Sequence, residues 1–230
     1  MKRQRLGNKG FGLVSLGFLV IISTATAGDL HGDDTQGELR ITVRVQDYAQ
    51  TPPKVLDRGE RRAAAILRKA GIESDWVNCT GDGLSSEPEC LEPMRATDLI
   101  LRILPPSMSE LMPLSGDTIG FAVVSTKRHR SSLASIFYRR VEDLWLNLGY
   151  SRAVSLGYAM AHEIGHLLLG TLGHSSRGIM CFPWEPEHFL LPLRFNSAQA
   201  ELIRADVQAR IEMRGAEETV VIASQDSPQQ

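Results

Sequence analysis

The segment from Ser151 to Gly170 constrains this 230-residue chain most, because it has the pattern of one apolar helix that carries two histidines. A serine is a typical helix N-cap and a glycine a typical stop. On a helix, residues four apart share a face, so His162 and His166 can offer imidazole nitrogens to one metal ion. Glu163 follows the first histidine and can take a proton from a water molecule on that ion. The pattern predicts a helical zinc site that carries two ligands and a general base.

A catalytic zinc ion takes three protein ligands and leaves one position for water, so a third ligand is expected downstream. His174 lies eight residues after His166, beyond two glycines that can turn the chain back toward the helix. We predict it as the third ligand. The alternatives are three later residues whose positions depend on intervening prolines: Glu185, Glu187 and His188.

The first 27 residues have the layout of a secretory signal peptide. Four basic residues precede an apolar run at 11–22, and Ala25-Thr26-Ala27 resembles a cleavage site. The run is shorter than the roughly 18 residues expected of a membrane span, so an uncleaved anchor is the alternative. We predict cleavage near Ala27, a secreted or periplasmic monomer, and no stable membrane association afterwards.

The charge of the mature chain argues against a nucleic-acid partner. Removing the four positive charges of the predicted signal peptide moves the formal charge from −2 to −6. The short basic run at 127–130 is more simply a solvated loop than a binding patch.

Three cysteines in an exported chain predict one disulfide and one free thiol. Cys79 and Cys90 flank a polar stretch that contains glycines and a proline, so we predict that they pair and close this loop. Cys181 is then the unpaired cysteine.

The apolar patterns predict an α+β domain at 28–214, followed by a disordered tail at 215–230. The predicted strands are 39–45, 72–77, 98–104, 119–125 and 134–141, and the predicted helices are 55–70, 151–169 and 197–214. Residues 181–193 hold three prolines and predict an irregular connection.

The helix with its histidines, Gly170, His174 and Met180 resembles the metzincin clan of zinc endopeptidases. That clan has the pattern His-Glu-x-x-His-x-x-Gly-x-x-His, followed by a turn that contains a methionine. Here the glycine comes one residue later and the third histidine two residues later.

The resemblance implies that His162, His166 and His174 are zinc ligands, Glu163 is the general base and Met180 is the turn methionine. The segment from His174 to Met180 resembles the stretch between the third histidine and the turn methionine in matrix-metalloproteinase-like members. The implied fold is a zincin-like catalytic domain: a twisted, mixed but mostly parallel sheet with a backing helix, an active-site helix and a C-terminal helix. The implied activity is that of a secreted zinc metalloendopeptidase that hydrolyses peptide bonds. An exported binding protein on the same fold, without turnover, is the alternative.

The resemblance also implies where a peptide substrate lies. In that architecture the edge strand before the active-site helix pairs with an extended peptide. Gly120, Phe121 and Ala122 are the predicted substrate-binding residues on this strand. The alternative is that these residues belong to an ordinary inner strand of the sheet. Phe182 or Trp184, after the methionine turn, is expected to line a substrate pocket.

Overall fold

The computed structural model describes residues 38–79, 88–111, 118–124 and 131–225. The predicted signal peptide and most of the loop between Cys79 and Cys90 lie outside these ranges. The described residues all belong to one unit, 37–230, defined by the contacts within the chain. Among them, no helix combines the length and the apolar character that crossing a membrane requires.

Five strands and five helices form the described fold. The strands are β1 (Arg40–Asp47), β2 (Glu73–Asn78), β3 (Asp98–Leu104), β4 (Gly120–Ala122) and β5 (Leu133–Phe137). The helices are α1 (Pro53–Lys69), α2 (Pro106–Leu111), α3 (Tyr138–Leu148), α4 (Arg152–Leu169) and α5 (Ser197–Gln225). Two short 3₁₀ turns span Pro88–Cys90 and Pro186–Leu190.

The strands form one sheet in the order β2-β1-β3-β5-β4. β1 pairs in parallel with β2 and β3, and β3 pairs in parallel with β5. β4 runs antiparallel to β5 and lies at one edge of the sheet. A mixed, mostly parallel sheet is therefore confirmed.

The core lies between this sheet and the helices α1 and α4. β1 contributes Ile41, Val43 and Val45, all essentially buried, as its alternation predicts. Helix α4 is apolar on nearly its whole surface, and its residues from Ser155 to Leu168 are buried. The histidine motif thus sits on a helix whose side chains are almost all buried, where packing holds them in place.

The disulfide between Cys79 and Cys90 is present, with the two Cα atoms 5.6 Å apart. It joins the residue after β2 to the first 3₁₀ turn, as the cysteine count predicts. Cys181 is free and buried.

The structure corrects the prediction of a strand over 134–141. β5 ends at Phe137 and α3 begins at the next residue. Tyr138 and Val141 are buried and Leu144 packs against the core, a spacing of three that fits a helix face. The predicted strand at 119–125 is shorter, α2 is an additional helix, and the 3₁₀ turn Pro186–Leu190 interrupts the predicted irregular connection.

The last helix also differs from its prediction, because α5 continues to Gln225 instead of ending at Arg214. The last five residues of the predicted tail, 226–230, lie outside the described residues. The disordered tail therefore stays a prediction.

Candidate metal centre

Helix α4 has both predicted ends. The Ser151 hydroxyl accepts a hydrogen bond from the Val154 amide at 3.3 Å, and Gly170 has the left-handed conformation, with φ of 62°. Between them, His162, Glu163 and His166 are 1%, 2% and 4% exposed. The helix thus carries all three side chains into the interior.

Two backbone carbonyls fix which nitrogen of each helical histidine carries its proton. His162 Nδ1 lies 2.8 Å from the Ile179 carbonyl oxygen, and His166 Nδ1 lies 2.7 Å from that of Thr171. A carbonyl oxygen can only accept, so both Nδ1 atoms donate a proton. In the neutral ring the two Nε2 atoms then carry bare lone pairs.

Those two Nε2 atoms face each other at 3.0 Å. Two lone pairs at this distance repel unless a cation lies between them. Two nitrogens on one tetrahedral zinc ion lie about 3.3 Å apart, given Zn–N bonds of about 2.0–2.1 Å. The arrangement of His162 and His166 therefore fits a shared metal ion.

His174 completes the cluster. Its ring centroid is 5.1 Å from that of His162 and 5.2 Å from that of His166. One ligand atom of each of these three histidines lies within 4.8 Å of the others, so together they are able to hold a metal ion. Within the described residues, no second group of this kind occurs.

The alternative ligands Glu185, Glu187 and His188 lie outside the three-histidine cluster. His188 Nδ1 accepts a hydrogen bond from the Glu185 amide at 3.0 Å, and its Nε2 atom is 3.6 Å from Cys181 Sγ. Both ring nitrogens of His188 therefore have partners outside the three-histidine cluster. Neither these residues nor Glu187 belongs to the three-histidine cluster.

Burial keeps the three imidazoles neutral. It lowers the pKa of His162 to about 3, and it also lowers the pKa of His166 and of His174. The neutral ring is the form that binds a metal, so no deprotonation has to precede binding at neutral pH.

Glu163 points its carboxyl group into the same region without a full set of partners. Its Oε2 atom is buried and has no hydrogen-bond partner in the described part of the chain. Burial raises the pKa of Glu163 to about 8. A dication held by the neighbouring imidazoles would favour the charged carboxylate and oppose this effect.

Gly120 on β4 makes room for this carboxyl group. A Cβ atom at position 120 would lie 2.7 Å from Glu163 Oε1 and 2.4 Å from the Ser135 carbonyl oxygen. Both distances are too short for any side chain, so the sheet edge can approach Glu163 only where the residue is glycine.

Met180 packs directly beneath the histidine helix. It is fully buried, and a Cβ atom at Gly165 would lie 2.5 Å from its Sδ atom. Its carbonyl oxygen accepts a hydrogen bond from the Ser175 amide at 2.8 Å. The methionine turn is therefore tied to the loop that carries His174.

A cleft of about 290 Å³ opens over these side chains. The predicted substrate-binding residues Gly120, Phe121, Ala122 and Phe182 all line it, together with Thr118, Ile119, Leu172 and the four site residues His162, Glu163, His166 and His174. Trp184 is 5% exposed and its ring centroid is 5.5 Å from that of His162, so it supports the site from within the core.

Thr118, Ile119 and Leu172 are the three lining residues that sequence reasoning did not predict as part of the site. Leu172 is the most exposed of them. Its signal is present but weak: it is an apolar residue in a turn segment with glycines on both sides, at positions 170 and 173.

Comparisons with known proteins leave the family open. No protein-family profile and no curated protein matches the sequence. A zinc-dependent peptidase from Methanocorpusculum labreanum is similar in structure, at 14% identity and a TM-score of 0.44, over 70% of this chain and 99% of that one. Archaemetzincin from Methanopyrus kandleri is similar at 15% identity and a TM-score of 0.43, over 74% of this chain and 97% of that one. This likeness is too distant to assign a function, which has to be argued from the residues of the site.

Proposed function

We propose that this chain is an exported zinc metallopeptidase of metzincin-like type. The observation that carries the proposal is the convergence of two bare Nε2 atoms at 3.0 Å, beside a buried carboxyl group in an open cleft. A purely structural pair of histidines would be expected to share a proton between these nitrogens, whereas here both protons are held by carbonyl oxygens on the other side of each ring.

The donor set favours zinc among the common metals. Three neutral imidazoles suit zinc, and three protein ligands with one open position are the arrangement of catalytic zinc sites. His162, His166 and His174 would hold the ion. When bound, zinc polarises a carbonyl group and lowers the pKa of a water molecule to near neutrality.

Glu163 is the proposed general base. It follows the first ligand on α4, its Oε2 atom has no competing hydrogen bond among the described residues, and its carboxyl group lies among the cleft residues. In its charged form it would accept the proton of the attacking water and return it to the leaving amine.

The position of β4 supports a peptide as the substrate. β4 is an edge strand, and within the described residues no other strand pairs with its outer side. An extended peptide can add to such an edge through main-chain hydrogen bonds. Gly120, Phe121 and Ala122 would then lie along the peptide, next to Glu163.

Export is supported by the disulfide between Cys79 and Cys90, since structural disulfides are typical of oxidising compartments. Cleavage near Ala27 remains part of the proposal. Sequencing the N-terminus of the exported protein tests it, with a start at Gly28 as the expected result.

The test of the proposed chemistry is to replace Glu163 by glutamine. We expect the parent protein to bind one zinc ion and to cleave peptides. Glu163→Gln should keep the zinc but lose about 10²–10⁴-fold in kcat, the usual contribution of a general base. Glu187→Gln is the matched control, because this exposed glutamate lies outside the cluster, and it should change neither property.

Two outcomes would contradict the proposal in different ways. Cleavage by Glu163→Gln at the parental rate would remove the proposed base. A parent protein that binds zinc and peptides but cleaves none would be the exported binding protein instead.

A further inference from the structure

A second cavity, of about 500 Å³, opens at the carboxyl ends of β1 and β2. Asp47 is the last residue of β1 and Asn78 is the last residue of β2, and both line the cavity. Because the two strands pair in parallel, these residues lie at the same edge of the sheet. Ligands of open α/β sheets bind outside the carboxyl ends of the strands, so this edge is a reasonable place for a binding site.

Two carboxylates belong to the lining of this cavity. The Asp47 carboxylate is fixed in place, because it accepts hydrogen bonds from the Ala49 and Thr51 amides at 3.0 and 2.7 Å. Asp57 lies on the second turn of α1 and is mostly exposed, where it forms an ion pair with Arg61 one turn further along the helix. One rigid and one mobile carboxylate therefore face the same space.

The described lining holds no basic side chain that would neutralise these carboxylates. Two segments outside the described ranges, 80–87 after β2 and 112–117 after α2, contain no lysine, arginine or histidine in their sequence. The charge of the described lining therefore favours a cation.

A buried carboxyl group with an unpartnered oxygen lies behind this lining. Glu60 is 8% exposed, and its Oε1 atom has no hydrogen-bond partner among the described residues. The Asn78 side chain, which lines the cavity, donates a hydrogen bond to this carboxyl group, and the charges of Asp57 and Asp47 act on it. Burial of such a group is costly, and a cation in the cavity would offset the cost.

The apolar part of the lining indicates which kind of cation fits. Val45, Pro53 and Leu56 present hydrocarbon to the cavity. Its volume lies within the roughly 300–1,000 Å³ of small-molecule sites. A bare metal ion fits less well, because among the described residues the carboxylates of this edge do not form a group able to hold one. A charged group on a hydrocarbon chain matches both kinds of wall.

We propose that this cavity binds a primary ammonium group carried on a hydrocarbon chain, as in a free aliphatic diamine or a lysine side chain. The ammonium group lies near Asp47 and Asp57, and the chain lies against Val45 and Leu56. The cavity shares no lining residue with the cleft over the histidines. The site is therefore independent of the proposed peptidase function, and its test needs neither zinc nor turnover.

Glu60 makes this binding depend on pH. Burial raises the pKa of Glu60 to about 7, against a hydrogen bond from Asn78 on β2 that lowers it. The charged groups that act on it are Asp57 and Arg61 on α1 and Asp47 on β1. An alkyl ammonium group stays charged up to about pH 10. Above pH 7 the ionised Glu60 attracts the ammonium group, and below pH 7 the protonated form does not, so the affinity rises with pH.

Calorimetry with 1,5-diaminopentane tests the site on the disulfide-intact protein. We expect a Kd of about 1 mM or below at pH 8, and about 10-fold weaker binding of 1,5-pentanediol, which has the same chain without charge. The affinity of the parent for the diamine should rise about 5- to 10-fold from pH 5.5 to pH 8. In Glu60→Gln it should stay within about 2-fold over this range.

A pair of matched variants tests the position of the site. Asp57→Asn should weaken binding of the diamine about 2- to 5-fold. Asp75→Asn on β2 is the control, since Asp75 is 55% exposed compared with 57% for Asp57, pairs with an arginine in the same way and lies outside the lining. Nα-acetyl-lysine methylamide separates the two sources of the ammonium group: binding as tight as that of the diamine identifies a lysine side chain, and weaker binding identifies a free diamine.

Three results would overturn the proposal. The first is absence of diamine binding at about 10 mM, or equal binding of the diamine and the diol. The second is an affinity of the parent that does not change with pH, because Glu60 would then not sense the ligand. The third is an equal loss in Asp57→Asn and Asp75→Asn, which would show attraction to the overall charge of the protein and no defined site.

Discussion

Replacing Glu60 by glutamine should stabilise the protein at alkaline pH and leave its stability almost unchanged in acid. Glu60 lies on α1 with 8% of its surface exposed, and its Oε1 atom has no hydrogen-bond partner among the described residues. Burial is the main cause that raises its pKa to about 7. A side-chain hydrogen bond with Asn78 has the next largest effect and lowers the pKa, while Asp57 and Asp47 raise it and Arg61 lowers it by smaller amounts. The folded protein therefore holds a carboxyl group that resists ionisation.

The sign and the size follow from the two pKa values. The pKa is about 7 in the folded state, compared with 4.5 for an unperturbed glutamate. Below pH 4.5 the group is protonated in both states and costs nothing. As the pH rises to 7, the unfolded state releases its proton more readily, so stability is lost over this window. The difference between the two pKa values corresponds to about 3 kcal/mol above pH 7.

Glutamine keeps the shape of the side chain and removes the charge, so it should remove this loss. Urea unfolding of the disulfide-intact protein measures it, as the free energy of unfolding of Glu60→Gln minus that of the parent. We expect a difference near zero at pH 4.5 and a gain of about 3 kcal/mol at pH 8. Other groups titrate equally in both proteins and cancel in the difference.

Glu201→Gln is the control for removing a negative charge, because Glu201 is exposed on α5. It should change the free energy of unfolding by less than about 0.5 kcal/mol at either pH. A gain from Glu60→Gln that is the same at pH 4.5 and pH 8 would refute the reasoning, since burial of an ionisable group can act only where that group ionises.

Two further predictions concern the metal centre. His174→Ala should weaken zinc binding by more than the roughly 100-fold at the upper end of changes in outer-shell residues, because it removes a ligand; competition with a chelator measures this, and an equal loss in His188→Ala would contradict the assignment. Gly165→Ala should destabilise the protein by about 1–2 kcal/mol, because a methyl group 2.5 Å from Met180 Sδ overpacks the core by more than the better helix propensity of alanine offsets. Gly215→Ala on α5, where a methyl group meets open space, is its control and should be neutral or slightly stabilising in the same unfolding assay.

Local signals suffice to predict α4 and the shared face of its two histidines. The cap at Ser151, the stop at Gly170 and the four-residue spacing of His162 and His166 are properties of one continuous segment, so they need no knowledge of the rest of the fold. The disulfide is predicted for a similar reason, since Cys79 and Cys90 are close in sequence and few pairings were possible.

The boundary between β5 and α3 shows where local signals fail. Isoleucine, phenylalanine, tyrosine and valine all favour strands, so the segment 134–141 reads as one strand although it turns into a helix at Tyr138. Whether this segment continues as a strand or turns into a helix depends on how Tyr138 and Val141 pack against the core. Tertiary packing decides this, and the local sequence does not show it. The same limit applies to Leu172, whose place in the cleft depends on the path of a loop.

The stretched spacing between the second and third histidines has a physical use in this structure. α4 continues to Leu169, the chain turns at Gly170 in the left-handed conformation, and the carbonyl of the very next residue, Thr171, accepts the proton of His166. At the other end of the connection between α4 and Met180, the Ile179 carbonyl oxygen accepts the proton of His162 Nδ1.

One connection, 170–179, therefore supplies the third histidine and also both carbonyl groups that set the tautomers of the first two. In this site the carbonyl oxygens of Thr171 and Ile179 must reach the Nδ1 atoms of His166 and His162. The same connection must also bring His174 to the cluster. The number of residues in between is free to vary as long as a turn such as that at Gly170 can absorb the difference. A motif defined by residue counts would miss this chain, whereas one defined by the two carbonyl contacts includes it.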